Sequence, residues 1–365
     1  MNSMNNMEPR LSILVITHNQ REWLKRCLDS VLEQKLNVLF EVIVSDDRSE
    51  DGTAEFIAEL QSQIKNGERV VPNLQELVYT RCNSNDCDPK NVSERCGWNK
   101  LNVYNHARGK YFVNIDADDF LRSNDIYQAQ LDMLEAHPEC SMCMQDVWQV
   151  NESESIESGK RWPSYGKLKN GQILSAKEII TTYRALNQCY MIRRHPEIDC
   201  GAIYGKYFDD TIITIHHLQY GSCVYLDRAD YVWIRYKNSI TMTLDGDDNY
   251  IEHGVLELHH IRFVPALASE CMQAIIPSLI RMFKHLAEKN FHWQLTDRSQ
   301  MGFKETPGRI YCVFSKNQST IWERMYLRYV RLIVLLYKRM RLTNWKYLYG
   351  LLACREMANK IDWNK

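Results

Sequence analysis

The sequence predicts an α/β fold: a mostly parallel sheet flanked by helices, with an α-helical C-terminal extension. Three observations carry that reading. Strand-like and helix-like patterns alternate through the first third of the chain. The strand-like runs are apolar on nearly every residue, as strands covered on both faces must be. Three of those runs end in polar turns, two of them rich in acids. Alternation of this kind means βαβ units and a parallel sheet.

The elements follow in order. Residues 11–17 form a β-branched, nearly all-apolar strand. Asn19 is the expected N-cap of the next helix, with Glu22 as its capping-box partner. Trp23, Leu24, Cys27, Leu28, Val31 and Leu32 then recur at helical spacing and mark its buried face. Residues 40–45 read as a second strand, ending in Asp46-Asp47-Arg48-Ser49-Glu50-Asp51-Gly52-Thr53. A helix carrying Phe56, Ile57 and Leu60 follows. Leu77, Val78 and Tyr79 give a third strand. The aromatic and β-branched run 111–115 gives a fourth, introduced by the turn pair Gly109-Lys110. Behind it Ile126, Ala129, Met133 and Leu134 share a helix face that Pro138 brings to a stop. The polar stretch 151–169 reads as a surface excursion or flap.

Composition bounds the rest. A hydrophobic content of 45% and a charged content of 25% are ordinary for a globular chain. A net charge of −1 argues against a polyanion binder, so no nucleic-acid partner is expected. No stretch approaches the roughly 18 apolar residues of a spanning helix, and no leader pattern opens the sequence. A cytoplasmic protein is the expectation. Twelve cysteines are scattered without the spacing of a disulfide framework or a zinc site, and buried, inert thiols are the expected state. The paired histidines 216–217 and 259–260 are read as surface or packing residues, since neighbours on a helix point to different faces. A boundary is placed near residue 254, where helical patterns take over: 1–254 as one domain, 255–365 as a helical region.

Asp116, Asp118 and Asp119 follow the fourth strand within four positions. Acids that close repel one another unless a cation sits among them, and hard oxygen ligands suit Mg²⁺ or Mn²⁺. The competing reading is a polar turn before the next helix, and on this motif alone the two stand level.

Three strands ending at Thr17-His18-Asn19, at Asp46-Asp47 and at Asp116-Ala117-Asp118-Asp119 together resemble the nucleotide-sugar half of the family 2 glycosyltransferases. The resemblance implies a GT-A, Rossmann-like fold across roughly the first 250 residues. It implies that Thr17 and Asn19 lie beside the nucleotide. By the same resemblance Asp46 and Asp47 meet base or ribose, Asp116 meets the ribose side of the donor, and Asp118 with Asp119 holds a divalent metal, Mn²⁺ or Mg²⁺. The second acid of Asp209-Asp210 matches the family's general base, with helix capping as the other reading. Arg235 and Lys237 match a segment, residues 233–241, closing over the diphosphate and acceptor, or belong to an ordinary edge strand. Arg48 stands where the family usually has glycine.

What the resemblance implies for function is inverting transfer of one sugar from a nucleotide-diphosphate sugar, UDP favoured, to a hydroxyl of a glycan or lipid-linked acceptor, as in surface polysaccharide, O-antigen or capsule assembly. Another phosphate-handling α/β enzyme and a non-catalytic binding module remain open. The basic, apolar-interleaved stretch 322–346 is read either as a helix packed on the domain or as one making peripheral contact with the inner face of a membrane.

Overall fold

The computed structural model describes residues 8–82, 92–162, 168–183, 187–195, 210–236, 264–288, 292–297, 310–315, 328–329, 331–336 and 339. The chain divides into two compact units. One comprises Met1–Cys200 with Tyr204–Met242, the other Gly201–Ile203 with Thr243–Lys365.

The first unit begins with the alternation read from the sequence: β1 (Leu11–Thr17), α1 (Arg21–Leu32), β2 (Phe40–Asp46), α2 (Thr53–Lys65), β3 (Leu74–Arg81), α3 (Val92–His106) and β4 (Tyr111–Asp116). There follow β5 (Phe120–Leu121), α4 (Ile126–Ala136), β6 (Cys140–Met144), β7 (Val147–Asn151), β8 (Lys160–Trp162), β9 (Ile173–Leu174), α5 (Ala176–Thr181), β10 (Tyr190–Arg193), α6 (Asp210–Leu218), β11 (Ser222–Tyr225) and β12 (Tyr231–Arg235).

The main sheet has eight strands in the order β3-β2-β1-β4-β10-β6-β11-β9. Its first four are parallel, whereas β10 runs antiparallel to both β4 and β6. Every residue of β2 is buried, as are six of the seven in β1. Leu11, Ile13, Val15, Phe40, Val42 and Val44 meet Leu24, Leu28 and Val31 of α1 in the core. Each such side chain is worth about 1.5–3 kcal/mol when taken from water. The chain passes closely at the amino end of β4: a Cβ on Gly109 would come 2.6 Å from the Ser12 backbone nitrogen. Only glycine fits there.

Because β1 lies between β2 and β4, the winding of the sheet reverses beside it. In open α/β sheets that reversal opens a crevice at the carboxyl ends of the strands, which is where ligands bind. Register places Thr17 opposite Asp46 and Ile16 opposite Asp116, so the polar turns meet at this crevice.

A second sheet is formed by β5-β12-β7-β8. The stretch after Asn151 is a surface excursion, exposed over 151–158, that returns to this sheet: Lys160–Trp162 runs antiparallel to β7, pairing Val147 with Trp162. The segment at Trp233 is not an edge strand, because β12 pairs with β5 on one side and β7 on the other. Trp23 also departs from its expected buried face. It is 41% exposed and packs on Tyr236 with ring centroids 4.8 Å apart.

In the second unit a long helix, α7 (Ala268–Glu288), precedes β13 (His292–Asp297) and β14 (Ile310–Ser315). The last two pair antiparallel, an element not expected in a region read as helical. The period-two alternation of Trp293 and Leu295 was the available signal. Among the described residues no helix is long and apolar enough to cross a membrane.

Candidate donor site

The loops after β1 and β2 are built as one body. Asn19 does not cap α1. It has a φ of +51°, a left-handed conformation that asparagine tolerates, and its side-chain oxygen accepts the Glu50 amide at 2.8 Å. The Asn19 amide donates to Ser49 Oγ at 2.8 Å. The cap comes from the other loop, where Asp51 Oδ2 accepts the Arg21 amide at 2.9 Å. Asp51 also receives Thr53 Oγ1 at 2.6 Å, so one carboxylate serves the starts of α1 and α2.

The two acids ending β2 are buried and fully engaged. Asp46 accepts from the Ser49 amide and hydroxyl on one oxygen and from Tyr79 Oη, at 2.6 Å, on the other. Burial, and then the Asp46 charge, push the Tyr79 phenol up. Asp47 is 4% exposed and sits between two guanidiniums, with Arg95 at 2.7 Å and Arg48 at 3.2 Å. Arg95 also donates to His18 Nε2 at 2.8 Å, while His18 Nδ1 lies 2.6 Å from the Asp47 carbonyl. A guanidinium only donates and a carbonyl only accepts, so these contacts fit the neutral Nδ1–H imidazole. Thr17 is buried at the end of β1, and its hydroxyl has no hydrogen-bond partner among the described residues.

The third turn splits its acids. Asp116 Oδ2 accepts from Gln188 Nε2 at 2.7 Å. Asp119 is 4% exposed, and both its oxygens are occupied, one by Tyr231 Oη and the other by the Ile234 amide at 3.1 Å. Burial, with Asp118 and Asp116 beside it, pushes the Asp119 carboxyl well up. Asp118 is half-buried, and burial raises its carboxyl too, against a lowering effect of Arg26. Asp118 is thus the acid with reason to welcome a cation, while Asp119 anchors the turn to β12.

Among the described residues no group of three or more His, Cys, Asp or Glu side chains could hold a metal by itself. Among the described residues the cysteines form no disulfide. The remaining predicted residues are more distant in kind. Asp210 opens α6, but its side chain lies outside the described residues, as do Asp209 and Lys237. Arg235 is exposed at the end of β12, its guanidinium 5.7 Å from the Trp233 ring centroid. His217, by contrast, is buried, donates from Nδ1 to the Ile213 carbonyl, and is pushed down to about 3 by burial. It is a packing residue.

Sequence reasoning missed Arg95 and Gln188. Neither belongs to a strand-end motif: they arrive from α3 and from the turn before β10, and no local pattern marks them.

Residues 12–74 match the model of glycosyl transferase family 2. Over this segment the chain is similar to that family. Its fold is that of the GT-A glycosyltransferases, with a mixed α/β sheet flanked by helices. The crystal structure of S. aureus TarS 1-349 in complex with UDP superposes with a TM-score of 0.53 at 18% identity, over 77% of this chain and 75% of that one. The same TarS fragment with UDP-GlcNAc gives 0.52 at 16% identity, over 77% and 76%. At such identities the likeness is one of fold. Rv1520, an uncharacterized protein of Mycobacterium tuberculosis H37Rv, is 25% identical over 189 residues, which is 52% of this chain and 48% of that protein. The chain thus spans about half the length of the curated relatives it matches.

Proposed function

We propose that the protein transfers one sugar, with inversion, from a nucleotide-diphosphate sugar to a hydroxyl of a glycan or lipid-linked acceptor. The observation that carries this reading is the meeting of the β1, β2 and β4 carboxyl ends at the winding reversal of the sheet, with Asp47, Asp116 and Asp118 arrayed around it. UDP is the favoured nucleotide, in keeping with the family resemblance and with the nucleotides held by the TarS complexes.

In this reading Thr17 and Asn19 line the nucleotide side, and the engaged Asp46 shapes the loop that presents Asp47 to base or ribose. Asp116 faces the ribose side of the donor. Asp118 holds the metal; Asp119, its oxygens already taken, steadies that turn. A divalent ion, when bound, neutralises charge that develops on the diphosphate as the glycosidic bond breaks. Arg235 adds positive charge near the leaving group. Asp210 takes the proton from the acceptor hydroxyl as that oxygen attacks the anomeric carbon from the face opposite the nucleotide.

The test is calorimetric titration with UDP-, GDP- and dTDP-sugars, with Mn²⁺ and with chelator. One nucleotide series should bind in a metal-dependent manner, and Asp118→Ala should lose it. Asp210→Asn should keep donor binding and lose transfer. A folded protein that binds no member of the panel overturns the reading.

Peripheral membrane contact belongs to the same proposal, and one observation favours it. Tyr329, Leu332, Leu335 and Leu336 are each at least 39% exposed in a helical stretch that also carries Arg328, Arg331 and Arg339. Apolar and basic side chains together on a helix suit an anionic lipid surface, where a lipid-linked acceptor would reside.

A further inference from the structure

The second sheet presents an aromatic surface that the donor site does not use. Residues in register across a sheet, and residues two apart along a strand, share a face. Trp233, Gln149 and Lys160 are such a row across β12, β7 and β8. Trp162, opposite Val147, and Arg235, opposite Asn151, lie on the same side by the period of two. The Trp162 and Trp233 rings meet with centroids 5.6 Å apart at 49°. Trp162 remains 37% exposed although it is the largest side-chain type available. Trp233 is half-buried and Gln149 buried, whereas Trp162, Lys160 and Arg235 are exposed on the same face.

Its position adds the second half of the argument. The Ile234 amide, one residue from Trp233, donates to Asp119 in the acidic turn. Trp233 therefore stands on the strand that is bonded to the acidic turn, where the donor diphosphate is proposed to lie, and Trp162 packs against it.

We propose that the Trp162–Trp233 pair is the acceptor platform: a pyranose of the acceptor glycan stacks its apolar C–H face on the indoles. Lys160 and Arg235, both exposed on this face, are then in reach of its hydroxyls. This rests on the transferase reading above for its role, though binding alone can be measured without a donor. An aromatic face matches the axial C–H surface of a sugar ring in size and polarity, and the polar rim fixes the ring's orientation.

The experiment uses the full chain on immobilised oligosaccharides of three kinds: neutral hexose, N-acetylhexosamine and uronic-acid-containing. UDP with Mn²⁺ is titrated in parallel. Wild type should bind at least one kind, Trp162→Ala should weaken that binding about tenfold or more, and Trp162→Phe should restore most of it. Nucleotide binding should be the same in all three proteins. Unchanged glycan binding by Trp162→Ala, or a wild type silent on all three kinds, overturns the platform. Glycan binding that depends on Trp162 in a protein that binds no nucleotide leaves the platform standing and overturns the donor reading instead.

Discussion

The Tyr231 hydroxyl on β12 donates to Oδ2 of Asp119, at the turn after β4, and so ties the second sheet to the acidic end of the first. Asp119 is buried, and burial also pushes the Tyr231 phenol up, with Asp119 adding to the effect. Tyr231→Phe would leave one buried carboxylate oxygen without a donor. A loss of about 1–3 kcal/mol is expected, read by urea denaturation. A variant as stable as wild type would show that the turn is held by other means.

Asp118→Asn should act in opposite directions on stability and on binding. Burial raises the Asp118 carboxyl above its ordinary value, so the folded state holds a proton that the unfolded chain has released. Stability is then greatest below the unfolded value and falls as pH rises from about 4 toward the raised value. Asp119 contributes with the same sign. Metal-free Asp118→Asn should melt higher than wild type near neutral pH, with a shallower decline across that range, while losing metal-dependent donor affinity. Thermal melts between pH 4 and 7 in chelator decide it.

Arg48 has a φ of +56°, a conformation that disfavours a side chain, at the position where the resemblance expects glycine. Arg48→Gly should therefore be neutral or stabilising by up to about 1 kcal/mol, whereas Arg48→Ala keeps the strain and loses the Asp47 contact. Urea midpoints that rank alanine above glycine would contradict this account.

Arg95→Ala would strip Asp47 of its closer cation and release His18. Because Arg48 remains 3.2 Å away, the expected cost is about 2 kcal/mol, below that of a wholly orphaned buried charge. A double-mutant cycle with Asp47→Asn should show strong coupling; additive effects would mean that the pair does not act together.

At the C-terminal end, Leu332→Glu with Leu336→Glu should abolish co-sedimentation with anionic vesicles if that surface meets lipid. Equal pelleting of variant and wild type would remove the membrane proposal and leave sugar transfer untouched.

The framework of the site was legible because it is local. Apolar runs of six or seven residues ending in polar turns give β1, β2 and β4, and parallel pairing then brings their ends together. What was not legible is long-range. Asn19 has the chemistry of an N-cap, but a left-handed backbone turns it to the neighbouring loop, and Asp51 caps α1 across 30 positions of sequence. The polarity of residues 151–162 reads as a loop because β8 contributes only three residues, too few for a periodic signal. Asp119 looks like a metal ligand from its neighbours in sequence; its bonds to β12 come from more than a hundred residues away.

The stitching of the β1 and β2 loops has a consequence for exchange between relatives. Asn19, Ser49, Glu50, Asp51 and Arg21 form a closed set of bonds whose members come from both loops. A chimaera that swaps one loop alone inherits half of each bond, with a helix start uncapped and a left-handed asparagine unsupported. The two loops are thus exchangeable between relatives as a two-segment cassette and not one at a time.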